Sequence, residues 1–284
     1  MDGVEERYTT FEGRPLRYVI GGSGPALLLC HGFIGSAENF KDWFPDLLPR
    51  RTLVIPDLPG FGKSAPLRGE HVATSMARAA LSAVDDAGID HFDVGGLCLG
   101  ATVALSVQRA RPRATQRLVL HTPLLAPWLV RKRFHLQVGF MLAPGVFPGI
   151  VWLSRQRLVS DLYKRLMIEG AAVDPVAAQV NFENQLRANT RAVREWLRDG
   201  LRRDDLTQVS ASEHRTLVLV AAEDRIVDVG RLRRALSGLR GVDLAVIEEG
   251  GHAWTESMIK EQGLLLAAFL DDQPLPKRES ATAA

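Results

Sequence analysis

The residues of this sequence whose types and spacing suit chemistry begin with Cys98, which lies between two glycines. Gly96 and Gly100 stand two positions on either side of it, after the strand-like residues 92–94 and before the helix-like residues 102–107. That spacing is typical of a nucleophile elbow, a strained strand-to-helix turn that lifts one side chain clear of a sheet. We interpret Cys98 as a candidate nucleophile. The alternative is a buried structural cysteine in a glycine-rich strand end.

An acid and a base stand at comparable positions late in the chain. The apolar run 216–220 is followed by Asp224, and the run 243–247 is followed by His252. The carboxyl ends of parallel strands line one crevice in open α/β sheets, so Cys98, Asp224 and His252 are predicted to converge. In that arrangement the imidazole takes the thiol proton, and the carboxylate holds the ring in the required tautomer.

The elements that must position these residues alternate between strand and helix. Continuously apolar runs at 26–30 and 52–56 are typical of strands covered on both faces of a parallel sheet. The alanine-rich residues 72–87 predict a helix, and residues 117–120 predict the next strand. With a hairpin over residues 6–20, this order predicts an α/β fold whose mostly parallel central sheet is flanked by helices.

The alternation of strand and helix lapses between about residues 124 and 214, where the pattern is mostly helical. The apolar stretch 136–153 is long enough to raise the question of a membrane span. However, two prolines and three glycines interrupt it, and a continuous bilayer helix fits that composition poorly. We predict instead a helical lid, with Phe140, Phe147 and Trp152 placed against the substrate.

Basic residues flank the apolar stretch and outnumber the acidic Asp161 and Glu169. They are Arg131, Lys132, Arg133, Arg155, Arg157, Lys164 and Arg165. An anionic part of a substrate, or weak contact with an acidic membrane surface, would suit that charge. The alternative is an ordinary solvated face around a packed lid.

Composition excludes several function classes. With 284 residues, 46% of them hydrophobic, the chain is long enough to bury a sizeable core. The formal net charge is +2, and no zinc-spaced Cys/His cluster or nucleic-acid motif is present, so neither metal nor nucleic acid is expected as a partner. Cys30 and Cys98 are too few for a disulfide framework, and residues 1–6 do not resemble a secretory signal. A cytoplasmic location is the default expectation.

The sequence resembles the α/β-hydrolase family over nearly its whole length. The matching segments are His31-Gly32-Phe33, Asp57-Leu58-Pro59-Gly60-Phe61-Gly62-Lys63-Ser64, Gly96-Leu97-Cys98-Leu99-Gly100, Asp224 and Gly251-His252. Their order agrees with the family's succession of nucleophile, acid and histidine. The resemblance implies a hydrolase core over residues 1–123 and 215–272, a helical cap at 124–214 inserted between late strands, and a flexible tail at 273–284.

The resemblance also implies an oxyanion hole formed by the backbone N–H groups of Phe33 and Leu99. His31 is interpreted as a brace for the loop that carries Phe33, and Asp57 as a turn-stabilising residue. The departure from the family is Cys98, because most members carry serine there. Among relatives, dienelactone hydrolases and polyhydroxyalkanoate synthases have cysteine, whereas dehalogenases and epoxide hydrolases have aspartate. The substrate class therefore stays open.

The assignment of the acid has two local rivals, Glu223 and Asp228. Asp224 is favoured because its place directly before Arg225-Ile226-Val227 matches the acid position of the family. Some relatives use an alternative acid site after an earlier strand, but this sequence has His121 there and no carboxylate.

The function that these residues favour is hydrolysis of an ester or thioester with an apolar acyl portion, through an acyl intermediate on Cys98. His252 would act as base and later activate water, and Asp224 would orient it. No cofactor is required. An acyltransferase that uses the same acyl-cysteine, in the manner of polyhydroxyalkanoate synthases, is the alternative within catalysis. A non-catalytic small-molecule binding protein on a hydrolase fold is the alternative outside it.

Overall fold

Eight strands form one sheet in the part of the chain that the computed structural model describes, namely residues 3–163, 166, 175–248, 250–252 and 256–276. The strands are β1 (Val4–Phe11), β2 (Arg14–Gly22), β3 (Ala26–Cys30), β4 (Thr52–Pro56), β5 (Phe92–Leu97), β6 (Thr115–His121), β7 (Arg215–Ala221) and β8 (Val242–Ile247). Their order across the sheet is β1-β2-β4-β3-β5-β6-β7-β8. The pairs β1/β2 and β2/β4 are antiparallel, and all other neighbours are parallel. The predicted α/β-hydrolase fold class is confirmed.

Helices cover both faces of this sheet. They are α1 (Phe44–Leu47), α2 (Ala73–Asp86), α3 (Leu99–Ala110), α4 (Lys132–Met141), α5 (Phe147–Ser154), α6 (Arg157–Tyr163), α7 (Pro175–Arg187), α8 (Thr190–Gly200), α9 (Leu206–Ala211), α10 (Val229–Leu236) and α11 (Glu256–Leu270). Two 3₁₀ segments, Ala37–Trp43 and Pro127–Leu129, complete the described helical structure.

The alternation of side chains along the central strands divides the core between these two layers. In β3, Leu28 and Cys30 belong to the hydrophobic cluster on the side of α2 and α3. Leu27 and Leu29 belong to the cluster on the side of α1 and α11. Because successive residues of a strand point to opposite faces, a strand buried on both sides must be apolar throughout. This is why the unbroken run 26–30 predicts the strand correctly.

The segment between β6 and β7 is called the insertion here and spans residues 124–214, of which 124–163, 166 and 175–214 are described. It contains α4 to α9. Backbone hydrogen bonds hold it to the sheet layer: Arg131 N–H donates to the Ile226 carbonyl at 2.8 Å, and Asn189 N–H donates to the Gly60 carbonyl at 2.8 Å. The insertion thus connects to two loops at the carboxyl edge of the sheet, where the candidate site lies.

The predicted tail is only partly described. Residues 273–276 are neither helix nor strand, and Leu275 packs against the core cluster beside α11. Residues 277–284, the rest of the predicted flexible tail, lie outside the described residues, as do Lys164, Arg165 and Glu169 of the insertion. Across the described ranges, no helix is both long enough and apolar enough to cross a membrane.

Candidate active site

Cys98 occupies a strained turn between β5 and α3. Its backbone has φ of 52° and ψ of −114°, a region that a residue with a side chain rarely adopts. A Cβ added to Gly96 would lie 2.2 Å from the carbonyl oxygen of Gly100, and one added to Gly100 would lie 2.3 Å from that of Cys30. The two glycines are therefore required by close backbone approach. The Cys98 N–H donates to the His121 carbonyl at 2.8 Å, which ties the strained turn to β6.

Asp224 and His252 meet beyond the ends of β7 and β8. The Nδ1 atom of His252 donates to Oδ2 of Asp224 at 2.8 Å. The other carboxylate oxygen of Asp224 accepts the N–H groups of Ile226 at 2.7 Å and Val227 at 2.8 Å. Asp224 is 1% exposed. Both oxygens of this buried carboxylate are thus engaged, which holds it in place and fixes the imidazole tautomer.

The structure separates Asp224 from its two sequence rivals. Asp228 is the N-cap of α10, where its side chain accepts the N–H of Arg231 at 3.0 Å. Glu223 is exposed. Since capping already engages Asp228, and Glu223 faces solvent, Asp224 is the carboxylate paired with His252 among the three.

The electrostatics of the pair follow from burial and mutual attraction. Burial by itself lowers the pKa of His252, but the Asp224 carboxylate and the Cys98 sulfur outweigh it and raise that pKa well above its ordinary value. Burial opposes ionisation of Asp224, yet His252 and the two backbone N–H groups lower its pKa. Burial, reinforced by the charge on His252, lowers the pKa of neighbouring His121 to about 3. Of these two histidines, His252 is therefore the one suited to accept a proton.

The second ring nitrogen of His252 faces the candidate nucleophile. Within the described part of the chain, its buried Nε2 atom makes no hydrogen bond that meets ordinary limits of distance and angle. The Cys98 thiol is nevertheless near enough to contribute to the raised pKa of the imidazole. Contacts of this kind are often loose in the free enzyme and tighten when substrate binds. The arrangement suits transfer of a proton between sulfur and Nε2.

The pair is expected to stabilise the fold most at weakly acidic pH. The pKa of His252 is higher folded than unfolded, so its contribution is full below about pH 6.5 and is lost as pH rises through the folded value. The pKa of Asp224 is lower folded than unfolded, so its contribution is full above about pH 4 and is lost as pH falls. In urea denaturation, the free energy of unfolding of wild type should exceed that of Asp224→Asn by about 1–3 kcal/mol near pH 5.5. The difference should be smaller near pH 9.

The matched control for that comparison is Asp243→Asn, because Asp243 is an exposed carboxylate paired with Arg215 on the protein surface. Its effect on the free energy of unfolding should be small at both pH values. If the Asp224→Asn difference were the same near pH 5.5 and near pH 9, the coupled ionisation of Asp224 and His252 would be contradicted.

The two predicted oxyanion residues both line the cavity that contains Cys98 and His252. Leu99 is the first residue of α3, so its N–H has no carbonyl partner within that helix. Phe33 lies in the loop after β3, and His31 holds this loop. Nδ1 of His31 donates to the Gly32 carbonyl at 2.9 Å, while Nε2 accepts the Leu58 N–H at 2.9 Å. The N–H groups of Phe33 and Leu99 stay the predicted oxyanion donors.

His31 and Asp57 act as supports for this loop. Burial lowers the pKa of His31, which matches a neutral ring that donates from one nitrogen and accepts at the other. Asp57 is fully buried and accepts the backbone N–H groups of Ala37 and Lys63, both at 2.8 Å. Oδ2 of Asp57 also forms a salt bridge at 3.0 Å with the guanidinium of buried Arg17. Neither residue is free to serve as a catalytic base.

The site opens into a cavity of about 500 Å³ between the sheet edge and the insertion. Its walls are mainly apolar, and α4, α5 and α6 contribute 13 of the 35 lining residues. The residues contributed by these three helices are Phe134, Gln137, Val138, Phe140, Met141, Phe147, Ile150, Val151, Leu153, Ser154, Val159, Ser160 and Tyr163. The 3₁₀ segment Ala37–Trp43 and α7 contribute six polar lining residues, Glu38, Asn39, Lys41, Asp42, Asn181 and Gln185. The remaining wall is mainly apolar and suits an apolar chain.

Two of the three predicted substrate-binding residues lie in this lining. Phe147 is 5% exposed, and Phe140 is 66% exposed at the rim. Trp152 is 64% exposed and is not among the lining residues, so it is not carried forward as a substrate-binding residue. The reason is helical spacing. Phe147, Ile150 and Val151 share one face of α5, whereas Trp152 is rotated about 100° around the helix axis from Val151, away from that face.

Reasoning from sequence missed several cavity residues, among them four polar ones that lie in the insertion or at the sheet edge. Gln137 and Tyr163 hydrogen-bond to each other in the wall, and Ser160 is 3% exposed there. A fourth, Thr122, is 1% exposed, lines the cavity and has φ of 43°, an outlier for a β-branched residue. The period of α4 could have indicated Gln137, but the strain at Thr122 has no signal in the sequence.

Comparison with known proteins agrees with this architecture. The sequence model described as "Alpha/beta hydrolase family" matches residues 27–262. Pyrrolizixenacetamide deacetylase of Xenorhabdus hominickii is 25% identical over 266 residues, which cover 91% of this chain and 96% of that protein. 2-Hydroxymuconate semialdehyde hydrolase of Pseudomonas sp. (strain CF600) is 25% identical over 247 residues, which cover 83% of this chain and 82% of that protein.

Solved structures show the same fold. An esterase from Exiguobacterium antarcticum superposes with a TM-score of 0.78 at 15% identity and covers 92% of this chain and 97% of its own. The haloalkane dehalogenase DatA from Agrobacterium tumefaciens C58 superposes with a TM-score of 0.78 at 17% identity, with 95% and 97% covered. At such identities the likeness concerns the fold alone. With a family match that spans most of its length, the chain belongs to the alpha/beta hydrolase family.

Proposed function

We propose that the protein hydrolyses small-molecule esters or thioesters with an apolar acyl portion, through an acyl intermediate on Cys98. The observation that carries the proposal is the buried Asp224–His252 pair beside a cysteine held at positive φ, all at the inner end of a mainly apolar cavity. The names of related proteins, which include a deacetylase, a hydrolase and an esterase, favour hydrolytic chemistry over simple binding.

The first half-reaction acylates the cysteine. Nε2 of His252 takes the Cys98 proton while the sulfur attacks the acyl carbon, and the carbonyl electrons move onto oxygen. The N–H groups of Phe33 and Leu99 stabilise that oxyanion. When the carbonyl re-forms, the bond to the leaving oxygen or sulfur breaks, and His252 returns the proton to it.

The second half-reaction releases the acid. His252 removes a proton from water as the water oxygen attacks the acyl-cysteine carbonyl, and the same two N–H groups stabilise the second oxyanion. Collapse breaks the carbon–sulfur bond, and the proton on His252 passes to the sulfur. Asp224 keeps the ring oriented and stabilises its positive charge in both halves.

The insertion acts as a cap in this proposal. Its helices α4 to α6 supply about half of the apolar lining residues, which would hold the acyl chain away from water. A reducing setting protects a thiol nucleophile from oxidation, so the proposal places the protein in the cytoplasm.

The test is intact-mass measurement after brief exposure to p-nitrophenyl esters and acyl thioesters. We expect a mass increase equal to one acyl group, mapped to Cys98, that decays as free acid is released. Adducts that clear only when an alcohol, amine or thiol acceptor is added would show an acyltransferase instead. Retention of ligand without an adduct would show a binding protein and would contradict catalysis. In each case Cys30, which is fully buried, serves as the internal control for non-specific acylation.

A further inference from the structure

The large apolar side chains exposed on this protein are concentrated on the insertion. Of the thirteen large hydrophobic residues that are exposed within the described ranges, all but Tyr8 and Leu264 belong to it. They are Trp128, Leu136, Phe140, Trp152, Leu153, Leu158, Val159, Leu162, Leu166, Val176 and Leu186. Scattered apolar residues on a surface are ordinary, but a concentration of this size marks an interaction site.

Helices α4 and α6 each show two apolar faces. Their inner faces line the cavity, whereas Leu136 and Phe140 on α4 and Leu158 and Leu162 on α6 form exposed i, i+4 pairs. On α5 the most exposed large apolar side chain is that of Trp152. We call these five residues the outer face. Because the inner sides of all three helices enclose one cavity, the outer face lies over that cavity.

The outer face meets the cavity at its mouth. Phe140, Leu153 and Val159 line the cavity and are also exposed, by 66%, 39% and 39%. An apolar substrate entering between them would stay in contact with apolar side chains from the outer surface of the insertion to Cys98. The exposed apolar surface and the entrance to the site are therefore one continuous region.

The same region is cationic. Residues 124–163 contain five basic side chains, Arg131, Lys132, Arg133, Arg155 and Arg157, against the single acid Asp161. Outside this segment the chain has 30 Lys and Arg and 32 Asp and Glu, so the segment with the outer face carries the excess that makes the formal net charge of the chain positive. A surface that combines apolar side chains with a basic border is complementary to an anionic lipid headgroup layer.

We propose that the outer face docks on an anionic lipid bilayer surface, with the cavity mouth turned toward the membrane. Lipophilic ester dissolved in the bilayer would then reach the cavity directly. Only this last step rests on the proposed hydrolysis; docking itself rests on the surface. A second copy of the chain is the less suitable occupant, because a twofold interface would place one cationic segment against another.

Vesicle co-sedimentation with the full chain tests docking. Wild type should bind vesicles of phosphatidylcholine with phosphatidylglycerol, bind pure phosphatidylcholine weakly, and dissociate as salt is raised. The double variant Leu158→Glu/Leu162→Glu should lower the partition coefficient by about tenfold or more. Its matched control is Leu264→Glu, because Leu264 on α11 is 58% exposed and Leu162 is 59% exposed. That control should bind as wild type does.

The charge contribution has its own pair of variants. Lys132→Glu/Arg133→Glu, at the start of α4, should lower partition into the anionic vesicles by on the order of tenfold or more. The control is Arg233→Glu/Arg234→Glu, which replaces two adjacent exposed basic residues in the last turn of α10. It should change binding much less, because it makes the same change in net charge on a helix that contributes no residue to the outer face.

Three results would overturn docking. The first is no binding of wild type to the anionic vesicles at low salt, and the second is an equal loss of vesicle binding in the outer-face and control variants. The third is self-association of wild type that Leu158→Glu/Leu162→Glu abolishes, with no vesicle binding by either protein. Turnover of a water-soluble short ester should be unchanged in that variant, because neither residue lines the cavity. Cys98→Ala should bind vesicles as wild type does. Failure of docking and failure of the proposed hydrolysis are thereby distinguished.

Discussion

Replacement of Cys98 by alanine is expected to lower kcat/KM for ester hydrolysis by roughly 10⁴- to 10⁶-fold and to abolish the acyl adduct. The sulfur is the group that the strained turn presents to His252, and alanine leaves nothing in its place to form the covalent intermediate. The fold should be retained, because Cys98 is only partly buried and alanine keeps the Cβ. Kinetics with p-nitrophenyl esters, intact mass and thermal unfolding measure the three effects.

Cys30→Ala is the matched control, since it removes the other cysteine from the adjacent strand β3. Cys30 is fully buried, and burial raises the pKa of its thiol to about 12. Its loss should cost stability, of the order of 1 kcal/mol, and leave kcat/KM within about twofold. Cys98→Ser should keep more activity than Cys98→Ala, because a hydroxyl in the same position retains a nucleophile. Normal turnover by Cys98→Ala would rule out Cys98 as the nucleophile.

The second large effect concerns the length of the acyl chain. Each methylene moved from water into the cavity contributes about 0.8 kcal/mol, so four added methylenes should raise kcat/KM over the acetyl ester by on the order of a hundredfold. Phe147→Ala, which opens the cavity wall, should reduce that ratio by about tenfold and leave the acetyl ester nearly unchanged. Val151→Trp, which fills the cavity instead, should remove the preference for longer chains. The measurement is kcat/KM across a soluble ester series.

Trp152→Ala is the matched control for that series, because Trp152 lies on the same helix, is 64% exposed and does not line the cavity. Its chain-length profile should coincide with that of wild type. If the acetyl ester were the best substrate, or if Phe147→Ala lowered every chain length equally, the apolar wall would have only a packing role. The proposal of a lipophilic substrate would then be wrong.

The sequence by itself determines the sheet and the order of the candidate site residues. Unbroken apolar runs such as 26–30 can be stable only as strands covered on both faces, and such strands alternating with helices build a parallel sheet. The carboxyl ends of parallel strands share one edge of the sheet. The predicted convergence of Cys98, Asp224 and His252 therefore follows from their places after β5, β7 and β8. These inferences use short-range periodicity, which a single sequence displays.

Tertiary structure alone decides which side chains face each other across that edge. Asp224 and Asp228 are equally acidic in sequence, and it is the capping of α10 that engages Asp228 and leaves Asp224 to His252. Phe147 and Trp152 are equally aromatic, and the rotation of α5 turns one into the cavity and the other outward. The orientation of a helix depends on packing against residues distant in sequence. In an insertion that is apolar on two faces, no period in the sequence distinguishes the inner face from the outer one.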